Sequence, residues 1–291
     1  SRRAGHPEEA RQTLEAALAL ATAHGLSRAE AQARNLLGMS AERGGRREEA
    51  ELHHRRVLAI GRETGDLHRQ AIALLNLGNL ASTAGDYEDA LERYARALEL
   101  DRARSEGETS FSTIVLAQMG NVRARQGRRE EAVELYLRAT SGHARAGNRF
   151  ELAVVSSNLA SVLLSLGRLD EARERGRGAL AVHRETGNRR AEGYVLGVLA
   201  EANAKAQAWE QASERWDEGE KVLTEVGDLL MLGELFAERA QRLAVRSPDE
   251  SARYLARAES TAERAGVGPK SPLGMRIREA RAALDASRRG S

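Results

Sequence analysis

One stretch sets the pattern for the whole chain: Gly78-Asn79-Leu80-Ala81-Ser82-Thr83-Ala84-Gly85-Asp86-Tyr87-Glu88-Asp89-Ala90. Its first residue recurs along the sequence as a glycine or an alanine, at Gly38, Gly78, Gly120, Ala160, Ala200 and Ala240. An alanine follows each of these 12 residues later, at Ala50, Ala90, Ala132, Ala172, Ala212 and Ala252. The step between units is 40 residues, apart from a step of 42 between Gly78 and Gly120. Self-similarity at a fixed period predicts a tandem array of helical hairpins.

Each unit is predicted to hold two amphipathic helices, A and B, and glycine marks the turns that end them. The turn from A to B carries a glycine in five units, at Gly5, Gly45, Gly85, Gly127 and Gly167. A glycine in this place predicts a left-handed cap, and the acidic residues that follow favour the start of the next helix. The sixth turn has Gln207 where the others have glycine. The seventh, Ser247-Pro248-Asp249-Glu250, predicts a capping box with proline at the first helical position.

The repeat pattern also predicts the division of the chain. Residues 1–265 are expected to form about six and a half repeats, the first of them truncated, as in a piece of a longer polypeptide. The two extra residues between Ala97 and Gly107 are expected to lengthen one B helix or loosen its exit. Residues 266–287 are expected to form a C-terminal capping helix and 288–291 a disordered tail. One face of that helix is apolar, with Leu273, Ile277, Ala280 and Leu284.

Composition narrows the classes of function. The net charge is +2, from 45 basic and 43 acidic residues, so no strong field argues for nucleic acid or an anionic membrane as a partner. The absence of cysteine excludes disulfides, thiolate catalysis and cysteine metal sites. No apolar run approaches the ~18 residues of a membrane span, and no signal peptide opens the chain. We therefore expect a soluble, cytoplasmic protein.

Several of these positions resemble the signature of the tetratricopeptide repeat family. An aromatic residue stands four positions after the repeat alanine, at Tyr94, Tyr136 and Trp216. The large aliphatic residue that the family places before the small one is also present, at Leu37, Leu77, Met119, Leu159 and Leu199. The family's usual period is 34 residues. The period of 40 is similar to the long-repeat branch in kinesin light chain, in mitotic adaptors that bind Gα subunits and in MalT-type bacterial signalling proteins. The resemblance covers residues 1–265 and implies an all-α, right-handed superhelical solenoid of antiparallel helix pairs.

The A helices of such a solenoid are expected to line a concave groove. Polar residues recur on them near the small position, and the candidate peptide-binding residues are Asn35, Asn76, Asn79, Gln118, Asn121, Arg125, Asn158, Ser161, Glu201 and Lys205. A carboxamide offers a donor and an acceptor, so it can pair with a peptide unit in either orientation. This pattern resembles the asparagine ladder of long-repeat members of the family. Arg125 and Lys205 could meet carboxylates of a ligand. The alternatives are that the amides tie one A helix to the next, or face water, and that the cations are only solvated.

No pattern for catalysis, a cofactor or a metal is found. His53 and His54 are adjacent on a predicted helix, so they point ~100° apart and cannot both bind one ion with ideal geometry. His54 stands where Tyr94 stands in the next repeat, which predicts a packing role. His143 and His183 lie near helix ends, and we interpret them as cations at helix C-termini. Acidic pairs such as Glu48-Glu49 are interpreted as capping charge. The sequence therefore predicts a protein that is not an enzyme.

Three functions follow from these observations. The leading hypothesis is a protein–protein interaction module that holds an extended peptide or partner segment, possibly from its own parent chain, in the concave groove. It would be the sensor or regulatory part of a larger bacterial signalling or transcription-regulatory protein. The second is a sensor domain for a small-molecule inducer, as in MalT-like activators. The third is a scaffold that self-associates through an exposed terminal repeat.

Overall fold

The computed structural model describes residues 7–105, 107 and 109–290, and within them it contains 14 helices and no strand. The first seven are α1 Pro7–Ala23, α2 Ser27–Arg43, α3 Arg47–Glu63, α4 Leu67–Ala84, α5 Tyr87–Arg104, α6 Ser110–Arg125 and α7 Arg129–Arg145. The remaining seven are α8 Arg149–Ser165, α9 Leu169–Glu185, α10 Arg189–Lys205, α11 Trp209–Val226, α12 Leu229–Leu243, α13 Pro248–Arg264 and α14 Pro272–Gly290. The predicted A helices are the even-numbered ones from α2 to α12, and each is followed by its B helix. The predicted turn at Gly5 lies outside the described residues.

The helices pack into two compact units, one ending at Gly142 and one beginning at His143. Inside each unit, consecutive helices contact each other, as α4 does with α5 and α10 with α11. Some A helices also touch the A helix of a neighbouring repeat in the same unit, as α4 does with α6 in the first unit and α10 with α8 and α12 in the second. Hairpins that contact only their neighbours are the arrangement of a helical-repeat protein. The predicted all-α repeat solenoid is thereby confirmed within each unit.

The small residue of each early repeat lies where an aromatic ring crosses helix A. A Cβ atom added at Gly78 would stand 2.5 Å from Cε1 of Tyr94, and one at Gly120 would stand 2.8 Å from Cε1 of Tyr136. In the first complete repeat the imidazole of His54 covers Gly38 in the same way. His54 is fully buried, so its predicted packing role is confirmed. Glycine is required at these crossings because no room is left for a side chain.

The turns behave as the glycine pattern predicts. Gly85, for example, closes α4 in the left-handed region with a φ of 88°. Gln207 takes the same conformation, with a φ of 63°, and no other non-glycine residue among those described has a positive φ. The repeat geometry therefore imposes the left-handed turn even where the glycine is missing.

Two helix starts differ from the sequence reading. Pro248 occupies the first turn of α13 as predicted, but the side chain of Ser247 makes no capping hydrogen bond. A capping box is found instead at α6, between Thr109 and Ser112. The proline lacks one of the four N–H groups that have no partner in the first turn of a helix, so fewer unsatisfied donors remain at the start of α13.

The two extra residues fall in the exit of α5. This helix has 18 residues, against 17 in α3 and α9, so most of the insertion lies beyond Arg104. Asp101 is only 2% exposed and accepts hydrogen bonds from Arg104 Nη2 at 2.9 Å and from the hydroxyl of Thr109. These bonds fasten the end of α5 to the start of α6.

The last helix, α14, packs against α12 and α13. Its predicted apolar face, with Leu273, Ile277, Ala280 and Leu284, is buried. The helix continues to Gly290, so residues 288–290 are helical and the predicted tail is wrong there, while Ser291 lies outside the described residues. Arg288 and Arg289 stand in the last turn, where positive charge is favourable at a helix C-terminus. Among the described helices, none is both long and apolar enough to cross a bilayer.

Candidate functional site

In the first unit, the predicted amides lie on the surface of α2, α4 and α6, which we call the A-helix face of that unit. Asn35, Asn76, Asn79, Gln118 and Asn121 are all half-buried. Asn76 Nδ2 donates to Asn35 Oδ1 at 2.8 Å, a bond that joins α4 to α2. The same nitrogen lies 3.5 Å from His54 Nδ1. One of the alternatives considered for the amides, a tie between neighbouring A helices, therefore holds for this pair.

Two further amides receive hydrogen bonds from the crossing tyrosines. Tyr94 Oη donates to Asn79 Oδ1 at 2.8 Å, and Tyr136 Oη donates to Asn121 Oδ1 at 2.7 Å. Asn121 Nδ2 in turn donates to Gln118 Oε1 at 2.9 Å. A tyrosine hydroxyl inside a protein needs such a partner. The amide one position after the small residue therefore completes the helix crossing, whatever else it contacts.

The predicted cations close the C-termini of preceding A helices. Arg125 Nη1 donates to the carbonyl oxygen of Ser82 in the last turn of α4 at 3.3 Å. Lys205 Nζ lies 3.5 Å from the carbonyl oxygen of Leu164 in the last turn of α8. The last carbonyls of a helix lack partners within it and attract positive charge. Both side chains thus connect successive A helices.

The second unit contains a cavity of about 230 Å³ on its own A-helix face, formed by α8, α10 and α12. Three predicted site residues meet in its lining: Ser161 from α8, and Glu201 and Lys205 from α10. The lining also contains Tyr194, Glu234, Glu238 and, from α14, Arg276, which were not among the candidates. Asn158 is half-buried on α8 but does not line the cavity. The structure thus brings together part of the predicted set with charged groups from three other positions.

The floor of this cavity is apolar because two glycines leave room for leucines. Gly193 and Gly197 lie on α10, and a Cβ at Gly197 would stand 3.3 Å from Cδ1 of Leu235. At Gly193 a Cβ would overlap the side chain of Leu223. Leu223 and Leu235 therefore approach the backbone of α10, and they are only 1% and 3% exposed. We call these buried leucines the floor of the cavity and the charged residues of its lining the rim.

The rim is electrostatically uneven. Glu201, 8% exposed, accepts from Arg242 Nε at 2.8 Å and has Lys205 Nζ at 3.9 Å. Glu238 forms an ion pair with Arg276. Among the described residues, Glu234 takes part in no ion pair. The Glu234 carboxylate therefore has no direct ion-pair partner, and Arg276 is the cation whose charge acts on it.

Burial of these acids changes their titration. It raises the pKa of Glu238 to about 7, with Glu201 and Glu234 adding to the rise while Arg276 and Arg242 oppose it. Burial also raises the pKa of Glu234, against the influence of Arg276. The pKa of Tyr194 is raised by burial too, although a hydrogen bond with Ser161 works in the opposite direction. A low-dielectric surrounding penalises the charged form of an acid. A cation brought next to these acids would favour their ionised forms and lower their pKa values.

The buried histidines do not act as the sequence reading expected. His143 and His183 are 2% and 0% exposed, and burial lowers the pKa of both, so they are neutral and not C-terminal cations. Ser157 Oγ lies 3.0 Å from His183 Nε2 and donates to the carbonyl of Ala153. Both side chains are closed to solvent, so this contact packs α8 against α9. No group of three His, Cys, Asp or Glu side chains that could hold a metal ion occurs among the residues described.

A family model described as tetratricopeptide repeat matches residues 29–103, 69–142 and 111–185. Together these matches span 29–185, more than half of the 291 residues. No curated protein sequence matches the chain.

Solved structures share the fold at low sequence identity. BtubC (BKLC) from P. vanneervenii is 17% identical with a TM-score of 0.66, over 77% of this chain and 93% of that protein. A Rap protein complexed with competence and sporulation factor is 16% identical with a TM-score of 0.63, over 90% of this chain and 76% of that one. Aspartyl phosphate phosphatase F from Bacillus subtilis is 13% identical with a TM-score of 0.66, over 94% and 73% of the two chains.

Proposed function

Since this chain belongs to the tetratricopeptide repeat family, we propose that its A-helix faces bind an extended segment of a partner protein. Stacked helical repeats generally serve as scaffolds for protein interaction, because successive repeats extend one binding surface. The proposal assigns no catalytic step to the chain. Its ligand is a peptide or a partner segment, and neither nucleic acid nor a membrane is a partner.

One observation carries the proposal. Ser161, Glu201 and Lys205 come from two different repeats, and all three line one cavity. An apolar floor with a few convergent polar groups is the usual composition of a binding site. Pockets for individual side chains are also how peptide-binding surfaces obtain specificity. The cavity is therefore suited to a residue of an extended segment.

A sensor for a small-molecule inducer is the second candidate, and its ligand would have to occupy the same cavity. Sites for drug-sized ligands typically measure about 300–1,000 Å³. The cavity of about 230 Å³ is smaller than that range and matches a side chain better than a whole effector. We therefore rank peptide binding first. Thermal-shift screening against metabolites tests the alternative, since a ligand at ~100 Kd should stabilise the protein by ~2.7 kcal/mol.

We further propose that the chain is the regulatory part of a larger cytoplasmic bacterial signalling protein. The support is limited to the fold shared with proteins of P. vanneervenii and Bacillus subtilis and with a Rap protein complexed with competence and sporulation factor. Recovery of the complete reading frame tests it directly. A chain without any kinase, nucleotide-switch or DNA-binding domain would contradict the regulatory assignment.

A variant that tests peptide binding should block the A-helix face without disturbing the fold. Replacement of Asn79 or Asn121 is unsuitable, because it would leave a tyrosine hydroxyl without its acceptor. Ser165 is exposed and lines the cavity, so Ser165→Trp should fill its mouth. The matched control is Ser141→Trp on the exposed side of the B helix α7.

Peptides would be selected against the wild type from a displayed library of random extended sequences and measured by fluorescence anisotropy. We expect Ser165→Trp to weaken binding at least tenfold and Ser141→Trp to leave it unchanged. Equal binding by both variants, or the failure of the library to yield any binder, would refute the assignment.

A further inference from the structure

We propose that the cavity of the second unit receives the cationic side chain of an arginine or lysine in the bound segment. This inference rests on the proposed function and names the chemistry of its ligand. Three observations carry it: the unpaired carboxylate on the rim, the guanidinium that the rim already holds, and the apolar floor.

The first observation is the position of Glu234. It is half-buried in α12 and lines the cavity, and within the described part of the chain it has no ion-pair partner. The charges that act on it are Arg276 and Asp228. Asp228 is itself engaged by Arg190 Nε at 2.7 Å, and Arg276 is engaged by Glu238. A cation placed beside Glu234 would give this carboxylate the direct ion-pair partner that it does not have.

The second observation is that the same rim binds a guanidinium of the protein itself. Arg276 comes from α14, and its Nη1 pairs with Glu238 beside Glu234. A guanidinium presents a planar fork of donors that matches carboxylate oxygens, and it is less strongly hydrated than an ammonium. The ion pair of Arg276 with Glu238 is thus the same kind of guanidinium–carboxylate interaction that we propose between the ligand and Glu234.

The third observation is the floor between the two glycines of α10. Arginine and lysine side chains lay their methylene stems along apolar surface while the charged head stays at a polar edge. The base formed by Leu223 and Leu235 would receive such a stem, and Glu234 stands at the rim above it. An acidic side chain fits poorly, because it would meet three carboxylates: Glu201, Glu234 and Glu238.

The cations of the lining are already committed, which also argues against an anionic ligand. Arg276 is paired with Glu238, and Lys205 lies between the Leu164 carbonyl and Glu201. Arg242, outside the lining, is held by Glu201. An incoming carboxylate would have to displace one of these contacts, whereas a cation at Glu234 displaces none.

Binding of a cation should be linked to pH. Burial raises the pKa of Glu238 to about 7, so that carboxyl is partly protonated near neutrality, and burial also raises the pKa of Glu234. The charged groups that act on them are Arg276, Arg242, Glu201 and Asp228, and Tyr194 and Lys205 share the lining. A cation favours the ionised acids, so its affinity should increase from pH 6 to pH 8.

The experiment uses the full chain and two acetylated, amidated heptapeptides of alanine and serine that differ only in the central residue. One carries arginine and the other carries citrulline, its uncharged isostere. Binding is measured by NMR through the methyl signals of Leu223 and Leu235, which form the floor. We expect the arginine peptide to bind at least tenfold more tightly than the citrulline peptide.

Two variants locate the effect. Glu234→Gln keeps the volume of the side chain and should abolish the preference for arginine. Glu214→Gln makes the same change at an exposed position on α11 and should preserve it. Circular dichroism melting shows that both variants fold. Equal binding of the two peptides, no change at the floor methyls, or a preference that survives Glu234→Gln overturns the inference.

Free agmatine, which carries the guanidinium but no peptide backbone, separates the sources of the cation. Binding of agmatine as tight as that of the arginine peptide overturns the assignment to a peptide side chain. The library described above separates the two levels of the proposal. If the selected peptides lack basic residues and Ser165→Trp still weakens their binding, this inference is wrong but the proposed function holds.

Discussion

The crossing of Tyr94 over Gly78 gives a prediction that the repeat pattern alone would get wrong. Alanine is favoured over glycine inside a helix by about 0.5–1 kcal/mol, and alanine stands at the equivalent position in three later repeats. Gly78→Ala should nevertheless destabilise the protein. The new Cβ would lie 2.5 Å from Cε1 and 2.8 Å from Cδ1 of Tyr94, a ring that is 1% exposed.

The magnitude follows from the contacts. Overpacking of a filled core typically costs about 1–3 kcal/mol. A displaced ring also weakens the bond from Tyr94 Oη to Asn79, which contributes about 0.5–1.5 kcal/mol. Set against the helix-propensity gain, the expected net loss is roughly 1–3 kcal/mol.

Gly178 provides the matched control, because it lies inside α9, is exposed, and has nothing within 4 Å of an added Cβ. Gly178→Ala should therefore stabilise the protein by about 0.5–1 kcal/mol. Urea unfolding gives the overall change, and hydrogen exchange of α4 and α5 locates it, since repeat arrays need not unfold in one step. If Gly78→Ala is as stabilising as Gly178→Ala, the account of the crossing is wrong.

Three shorter predictions follow from other features. Gln207→Gly should be more stable to heat than Gln207→Ala by about 1 kcal/mol. Both variants lose the hydrogen bond from Trp209 Nε1, but only glycine adopts a φ of 63° without strain. Equal melting temperatures would contradict this. On acidification, His54→Tyr should lose less stability than the wild type. Burial, together with the charge of His53, lowers the pKa of His54 from 6.5 to about 4. The neutral imidazole of the wild type therefore contributes fully to the free energy of unfolding above pH 6.5, and this contribution is lost as the pH falls towards 4. Parallel pH–melting curves for the two proteins would count against that reading. Arg242→Gln should lower the free energy of unfolding, measured in urea, by about 1–3 kcal/mol, because Glu201 is 8% exposed and loses its closest partner. Adding Glu201→Gln to this variant should recover part of the loss, and no recovery would show that the pair is not coupled.

Much of the fold could be predicted from the sequence because residues within each repeat mark where its helices end. Glycines such as Gly85 mark a backbone conformation that few other residues adopt, and the small residue and the aromatic contact each other within one hairpin. These are local relations, and they recur with a constant spacing. The start of α13 and the end of α14 were misjudged because they depend on details of single helix ends.

The site was predicted less well because it depends on the register between neighbouring repeats. Asn35 with Asn76, and Glu201 with Arg242, are pairs separated by 41 residues, one more than the period. A search for complementary residues at this spacing could have found both. The burial of His183 could not be seen in the same way, because it depends on the packing of α8 against α9.

The cavity was the least visible feature. Its floor exists because Gly193 and Gly197 admit leucines from other helices, whereas in the sequence they are two poor helix formers inside α10. Arg276 enters the lining from α14, beyond the last repeat. No repeat-based comparison aligns it with the acids that it meets.

The contacts of Arg125 and Lys205 give the array a direction. Each reaches back to the last turn of the A helix before it, so the carbonyl end of one hairpin is completed by a side chain that is synthesised later. In a nascent chain the last turns of α4 and α8 would lack these side-chain contacts until α6 and α10 dock. Removal of α6 or α10 should therefore loosen the last turn of α4 or α8, whereas removal of α4 or α8 takes away only an acceptor.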